Sequence, residues 1–173
     1  WIVPIFNKQT PLEAGELRDA IEGFAIEAGF ELTNIYVIDG SKRSTKANAY
    51  FSGLGAKKRI VLYDTLIKEL TTQQIVAVLA HEIGHYKHKH TRSMITVSLL
   101  SNLLMFALLG YFVASPALSI AMGGQLPSFH LGIMAFGILY SPISTLLGLA
   151  INSLSRRNEY QADDYAASFG LGN

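Results

Sequence analysis

The sequence predicts an α+β domain, helices around a small β-sheet, interrupted by a two-helix transmembrane hairpin. Three observations carry this. Up to residue 92, capped helical patterns alternate with three short β-type runs. Residues 93–155, 63 in all, contain no Asp, Glu, Lys or Arg, so the 27 formal charges fall in the other 110 residues. Ordinary soluble domains have about a quarter of their residues charged. Within that gap lie two apolar stretches, 93–114 and 131–154, joined by a loop, 115–130. As helices, each is long enough to cross about 30 Å of hydrocarbon.

The 173 residues suffice for one compact domain, read here as 1–173. A start at Trp1 rather than Met marks the chain as a piece of something longer. A net charge of +1 gives no basis for nucleic-acid binding. Cysteine is absent, which excludes a disulfide framework and thiolate chemistry.

In chain order, Trp1 to Phe6 is apolar, either the tail of a preceding membrane segment or a packed strand. Thr10-Pro11-Leu12-Glu13 reads as a helix start, with Thr10 as N-cap and Glu13 closing a capping box. Leu17, Ile21, Phe24 and Ala28 make one apolar face, and Gly29 a stop. Residues 34–39, 48–52 and 59–63 read as strands of a small hairpin or meander. Lys42, Arg43 and Lys46 make a basic loop, a solvated turn. Asp64 caps a short helix. Thr71 with Gln74 makes a capping box for the next, in which Ile75, Val78, Leu79 and Ile83 line one side.

That second helix carries His81-Glu82-Ile83-Gly84-His85, the pattern H-E-x-x-H. Positions i and i+4 share one helix face, so two imidazoles can reach a single small cation. Zinc takes histidine nitrogens at about 2.0–2.1 Å and keeps an open position in catalytic sites. Glu82 stands one residue round the helix, beside the metal, where a general base belongs. This makes the domain zincin-like, a zinc metalloprotease binding one Zn²⁺ and cutting a peptide or protein substrate. Asn48, Ala49 and Tyr50 open the candidate edge strand on which an extended substrate could pair. His88 shares the ligand face, but the site does not need it. His130 opens the second span at a membrane interface.

The first span keeps its charge-free length after Lys87, Lys89 and Arg92, and the second ends before Arg156 and Arg157. The loop between them has no basic residue, so both ends are expected on the cytoplasmic side, with the active site there. Pro142 should kink the second span, with Ser141, Ser144 and Thr145 available to freed backbone groups. A hairpin returns the chain to the face it left, so Ser155 to Tyr165 can approach the H-E-x-x-H helix. Glu159 is then a candidate third ligand. Asp163, four residues on, is a carboxylate able to accept a hydrogen bond from His81 or His85. The same spacing also fits an exposed helical glutamate paired with Arg156.

The motifs F-N-K-Q-T-P-L (6–12), V-I-D-G-S-K-R-S (37–44), N-A-Y-F-S-G (48–53), R-I-V-L-Y-D-T-L (59–66), H-E-I-G-H-Y-K-H-K-H (81–90) and S-R-R-N-E-Y-Q-A-D (155–163) follow one another in this order. In these motifs the chain resembles the type I CAAX prenyl protease family, integral-membrane zinc metalloendopeptidases related to HtpX. The resemblance implies His81, His85 and Glu159 as zinc ligands, Glu82 as catalytic base, and the Asn48 strand as a wall of the substrate cleft. It implies substrates that are prenylated proteins with a C-terminal CAAX sequence, reached from the lipid bilayer. It also implies earlier membrane spans, and a segment beyond Asn173 that supplies a histidine and an arginine near the scissile carbonyl. Arg156 is kept as a structural partner of Asp163. Two other functions fit the residues: HtpX-like turnover of membrane proteins, and a non-catalytic zinc-stabilised scaffold, against which Glu82 argues.

Overall fold

A computed structural model describes residues 9–39, 48–52 and 58–171. Trp1 to Phe6 and the basic loop of Lys42, Arg43 and Lys46 lie outside them. The chain divides into two compact units, Trp1–His88 with Tyr160–Asn173, and Lys89–Glu159.

The first unit is a four-stranded sheet with helices. Strands β1 (Gln9–Pro11), β2 (Leu32–Ile38), β3 (Ala49–Ser52) and β4 (Lys58–Tyr63) lie in the order β1-β2-β4-β3. The expected helix start at Thr10 is instead strand β1. It pairs antiparallel with β2, Thr10 opposite Val37, and the Thr10 hydroxyl donates to the Val37 carbonyl. Pro11 is tolerated because β1 is an edge strand. Of the expected hairpin or meander, the hairpin forms: β3 and β4 pair antiparallel, while β4 lies parallel to β2, so the three strands are not a meander.

Helix α1 (Glu16–Glu27) begins at Gly15, five residues after the expected cap. It ends in a Schellman turn, with Gly29 at φ 59°, its N–H on the Ile26 carbonyl and that of Phe30 on Ala25. Helix α2 (Asp64–Glu69) starts at Asp64 itself, whose carboxylate accepts from Lys68 four residues on. Helix α3 (Thr72–Lys87) starts from the Thr71–Gln74 capping box. Ile75, Leu79 and Ile83 of α3 join Ile21 and Phe24 of α1 and Ile35, Ile60 and Leu62 of the sheet in one buried core.

The second unit holds helix α4 (His90–Val113), a short helix α5 (Pro116–Ala121) and most of helix α6 (Phe129–Ala167). The expected loop 115–130 thus contains a helix, with Pro116 at its first turn, where a missing N–H costs nothing. The buried Ser119 hydroxyl accepts from the Ser128 backbone N–H, and Gly124 N–H binds the Ser119 carbonyl, which ties down the turn. A Cβ on Gly132 would lie 2.8 Å from the Val113 Cα, so α4 and α6 approach closely there.

Helix α6 runs unbroken from the second apolar stretch through Glu159 and Asp163. At 1.5 Å per residue its 39 residues extend about 58 Å, well beyond one hydrocarbon thickness. Pro142 lies inside it and does not end it. The Ser144 and Thr145 hydroxyls donate to the Ser141 carbonyl, and not to that of Ile138, which the proline leaves without its helical donor. Helices α4 and α6 are long and apolar enough to cross a membrane, and only 0% and 6% of their most apolar windows is buried. Core helices of a soluble domain would be mostly buried.

Candidate metal centre

Burial of the Ile75, Leu79 and Ile83 stripe fixes the rotation of α3 and leaves His81, Glu82 and His85 half-buried along its side. The two imidazoles turn their Nε2 atoms toward each other, 3.1 Å apart. Two nitrogens about 2.05 Å from one tetrahedral zinc would be about 3.3 Å apart, so the pair stands close to the spacing of joint ligands. The Nδ1 of His81 donates to Asp163 Oδ1 at 2.8 Å, which leaves its Nε2 lone pair on the side of His85. The carboxylate of Glu159 completes a group, His81, His85 and Glu159, whose ligand atoms all lie within 4.8 Å of one another and could hold a metal ion. His88 is not in that group. It is the C-cap of α3, with its ring against Tyr165.

Sequence reasoning missed how α6 is seated. Gly84 lies inside the motif, and a Cβ there would stand 3.0 Å from the Ala162 Cα, 3.1 Å from its carbonyl oxygen and 3.1 Å from the Tyr165 Cβ. The absence of a side chain at Gly84 thus lets the turn bearing Asp163 lie directly on α3. Further along, Ala166 is buried, and Phe169 packs edge-on against both Tyr165 and Phe24. Gly170, at φ 72°, then closes the helix, with Leu171 N–H on the Ala166 carbonyl. A signal was present: glycine inside a helix costs about 1 kcal/mol relative to alanine and asks for a packing reason. Burial raises the Tyr165 phenol above its ordinary range.

Strand β3 is last in the sheet and touches α3. Asn48 precedes it and its carbonyl accepts from Tyr63 N–H. Ala49 is in the core, and the Tyr50 hydroxyl is buried without a hydrogen-bond partner among the described residues. Burial first, and the neighbouring Tyr63 second, hold the Tyr50 phenol above its ordinary pKa. A cavity of about 550 Å³ is lined by His81, Ala77, Val78, Asp163, Asp164 and Leu171 among others.

The pattern of Peptidase family M48 matches residues 11–172. Over 98% of its length the chain is 42% identical to CAAX prenyl protease 1 of Saccharomyces cerevisiae, of which the match covers 41%. It is 33% identical to the Homo sapiens CAAX prenyl protease 1 homolog, again over 98% of the chain, with 44% of the relative covered. A crystal structure of Ste24p from S. mikatae matches with a TM-score of 0.79 and 40% identity, over 98% of this chain and 43% of that one. The chain thus spans about two fifths of the length of these relatives.

Proposed function

The chain belongs to Peptidase family M48, and we propose that it is the metal-carrying part of a membrane-embedded zinc metalloendopeptidase acting on prenylated CAAX proteins. The substrate class comes from the names of its relatives. The observation that carries the catalytic reading is the convergence of His81, His85 and Glu159 beside Glu82.

Two imidazoles and one carboxylate are a catalytic donor set, whereas structural zinc sites are closed by four protein ligands. His81, His85 and Glu159 would hold the ion. Bound there, zinc supplies Lewis acidity toward the scissile carbonyl and lowers the pKa of water. Glu82 takes a proton from the attacking water and returns it to the departing amine nitrogen as the peptide bond breaks. Asp163 orients His81 by holding its Nδ1–H. The substrate lies extended along the outer edge of β3, at Asn48, Ala49 and Tyr50, and pairs through its backbone. Helices α4 and α6 cross the bilayer. Lys87, Lys89 and Arg92 before the first span and Arg156 and Arg157 after the second support a site on the cytoplasmic side, by the positive-inside rule.

The test is Glu82→Gln in the whole protein. Zinc content should be unchanged, and cleavage of a prenylated CAAX peptide should fall by about 10²–10⁴-fold. Cleavage retained by a zinc-loaded variant would remove Glu82 as the base. Equal cleavage of the same peptide without its prenyl group would favour general membrane-protein turnover.

A further inference from the structure

We propose that the tip of the apolar hairpin, residues 115–130, lies in the headgroup layer of the bilayer with Ile120, Leu126 and Phe129 inserted among the acyl chains, rather than standing in water. The inference rests on α4 and α6 being membrane spans.

The tip has the composition of a lipid contact. It carries no Asp, Glu, Lys or Arg, and its one titratable side chain is His130. Over residues 120–129 it exposes three large apolar side chains, Ile120 at 59%, Leu126 at 75% and Phe129 at 71%. Apolar residues exposed singly are ordinary, but three on so short a charge-free segment are not what a loop in water presents. The segment also pairs much of its own backbone. The N–H groups of Met122, Gly123 and Gly124 bond to the carbonyls of Leu118, Ile120 and Ser119, and that of Ser128 bonds to the buried Ser119 hydroxyl. Pro116 and Pro127 have no N–H to satisfy. Backbone groups that are paired internally lose little when the segment leaves water.

The lengths of the two helices put the tip at the far boundary of the bilayer. From Ser93, the first residue after Arg92, α4 runs about 32 Å to Val113, and from Ser155, the last before Arg156, α6 runs back about 36 Å to Gly132. Val113 and Gly132 are also in contact, since a Cβ on Gly132 would lie 2.8 Å from the Val113 Cα. Both helices therefore run out of hydrocarbon, about 30 Å thick, at one level. Tyr111, 72% exposed, stands near that level, as the tyrosines of an interfacial belt do. Interfacial segments sink their apolar faces about 5–10 Å into the boundary between headgroups and acyl chains, which is the layer the tip enters. Lipid is the occupant because the tip continues the apolar surfaces of α4 and α6, whose most apolar windows are only 0% and 6% buried.

This chain contains no cysteine, so single introduced ones carry a fluorophore in the whole protein, freed of any others. The protein is held in phosphatidylcholine nanodiscs, where both faces meet solvent. Leu126→Cys reports on the tip and Leu103→Cys on the middle of α4. The quenchers are lipids with a nitroxide near the top of the acyl chain, lipids with a nitroxide near its end, and aqueous iodide. The label at 126 should be quenched by the shallow nitroxide more strongly than by iodide, and the label at 103 by the deep nitroxide. Ile120→Asn together with Phe129→Asn should make iodide the stronger quencher at 126. Iodide as the stronger quencher at 126 without those substitutions puts the tip in water, and protection there from all three quenchers gives it a protein neighbour. Either result, with 103 still quenched by lipid, overturns the lipid contact while leaving the span intact. Shallow-nitroxide quenching at 126 that survives the double substitution overturns Ile120 and Phe129 as anchors. Iodide quenching at 103 without nitroxide quenching removes the span, and the position of the tip with it.

Discussion

Gly84→Ala is the sharpest perturbation of the proposed metal centre that touches no proposed ligand. The added methyl would lie 3.0 Å from the Ala162 Cα and 3.1 Å from the Ala162 carbonyl oxygen. Carbon pairs sit best at about 3.5–4.0 Å, so α6 must retreat by about 0.5–1 Å. The nearest obstacles are backbone atoms, so no side-chain rotation relieves them. Metal sites hold their ligand distances to about ±0.2 Å, and Glu159 rides on α6 three residues before Ala162 while both histidines ride on α3. Overpacking of this kind costs about 1–3 kcal/mol. If the strain is released by parting the helices, it appears as a zinc affinity lowered about 5- to 150-fold, at 1.4 kcal/mol per tenfold.

The assay is zinc competition against a chromophoric chelator, read alongside the melting temperature of the metal-free protein. Gly23→Ala is the control. It is an exposed position inside α1 with nothing within 4 Å of the new Cβ, and the same change there should stabilise by about 0.5–1 kcal/mol. Zinc affinity within twofold of wild type for Gly84→Ala, with an unchanged apo melting temperature, would refute the close-approach argument.

Asp163→Asn keeps an acceptor for the His81 Nδ1–H but removes its charge, and zinc affinity should fall about 10- to 100-fold. An unchanged zinc dissociation constant would show that Asp163 only packs. Tyr50→Phe deletes a buried hydroxyl that has no hydrogen-bond partner among the described residues, so stability measured by chemical denaturation should hold or rise. The Tyr50 phenol is raised on folding, so its neutral form favours the native state below the ordinary phenol pKa of 10.0, and that contribution is lost as pH climbs through the folded value. The variant should therefore lose less stability between pH 9 and 11, about where phenols titrate, than the parent does. Identical alkaline profiles would exclude Tyr50 as the cause.

What the sequence revealed divides by the range of the interaction. The Thr71–Gln74 box and the Ile75–Leu79–Ile83 stripe are local, and α3 forms as they dictate. The letters Thr10 to Glu13 also satisfy a capping box, yet pairing with a strand 27 residues away wins. No local pattern reports that competition. The parallel placing of β4 beside β2 is equally non-local. Arg156 and Arg157 mark where an apolar stretch ends, but a helix does not stop where its apolar stretch stops, and α6 runs on through both to Ala167. Of the metal centre, the pair at 81 and 85 follows from helix geometry alone. The position of Glu159 needed the tertiary contact of Gly84 with Ala162, which spacing along the chain does not contain.

That contact bears on what sets the register of Glu159, the proposed third ligand. Glu159 lies 27 residues after Gly132, where α6 is pinned to α4, and three before Ala162, where it is pinned to α3. One inserted residue turns everything beyond it by 100° and advances it 1.5 Å relative to what precedes it. An alanine inserted between Gly148 and Leu149 falls between the two pins, before the ligand. The turn from Glu159 to Ala162 stays whole, and the mismatch passes to the stretch around Pro142, where the helical bond to the Ile138 carbonyl is already missing. Zinc affinity should drop by less than about tenfold, within about 1.4 kcal/mol. An alanine inserted between Tyr160 and Gln161 separates ligand from pin and swings the Glu159 carboxylate away from the two imidazoles. Binding should then fall to that of Glu159→Ala. Equal losses from the two insertions would mean that the apolar hairpin, and not the Gly84 contact, sets the geometry of the metal centre.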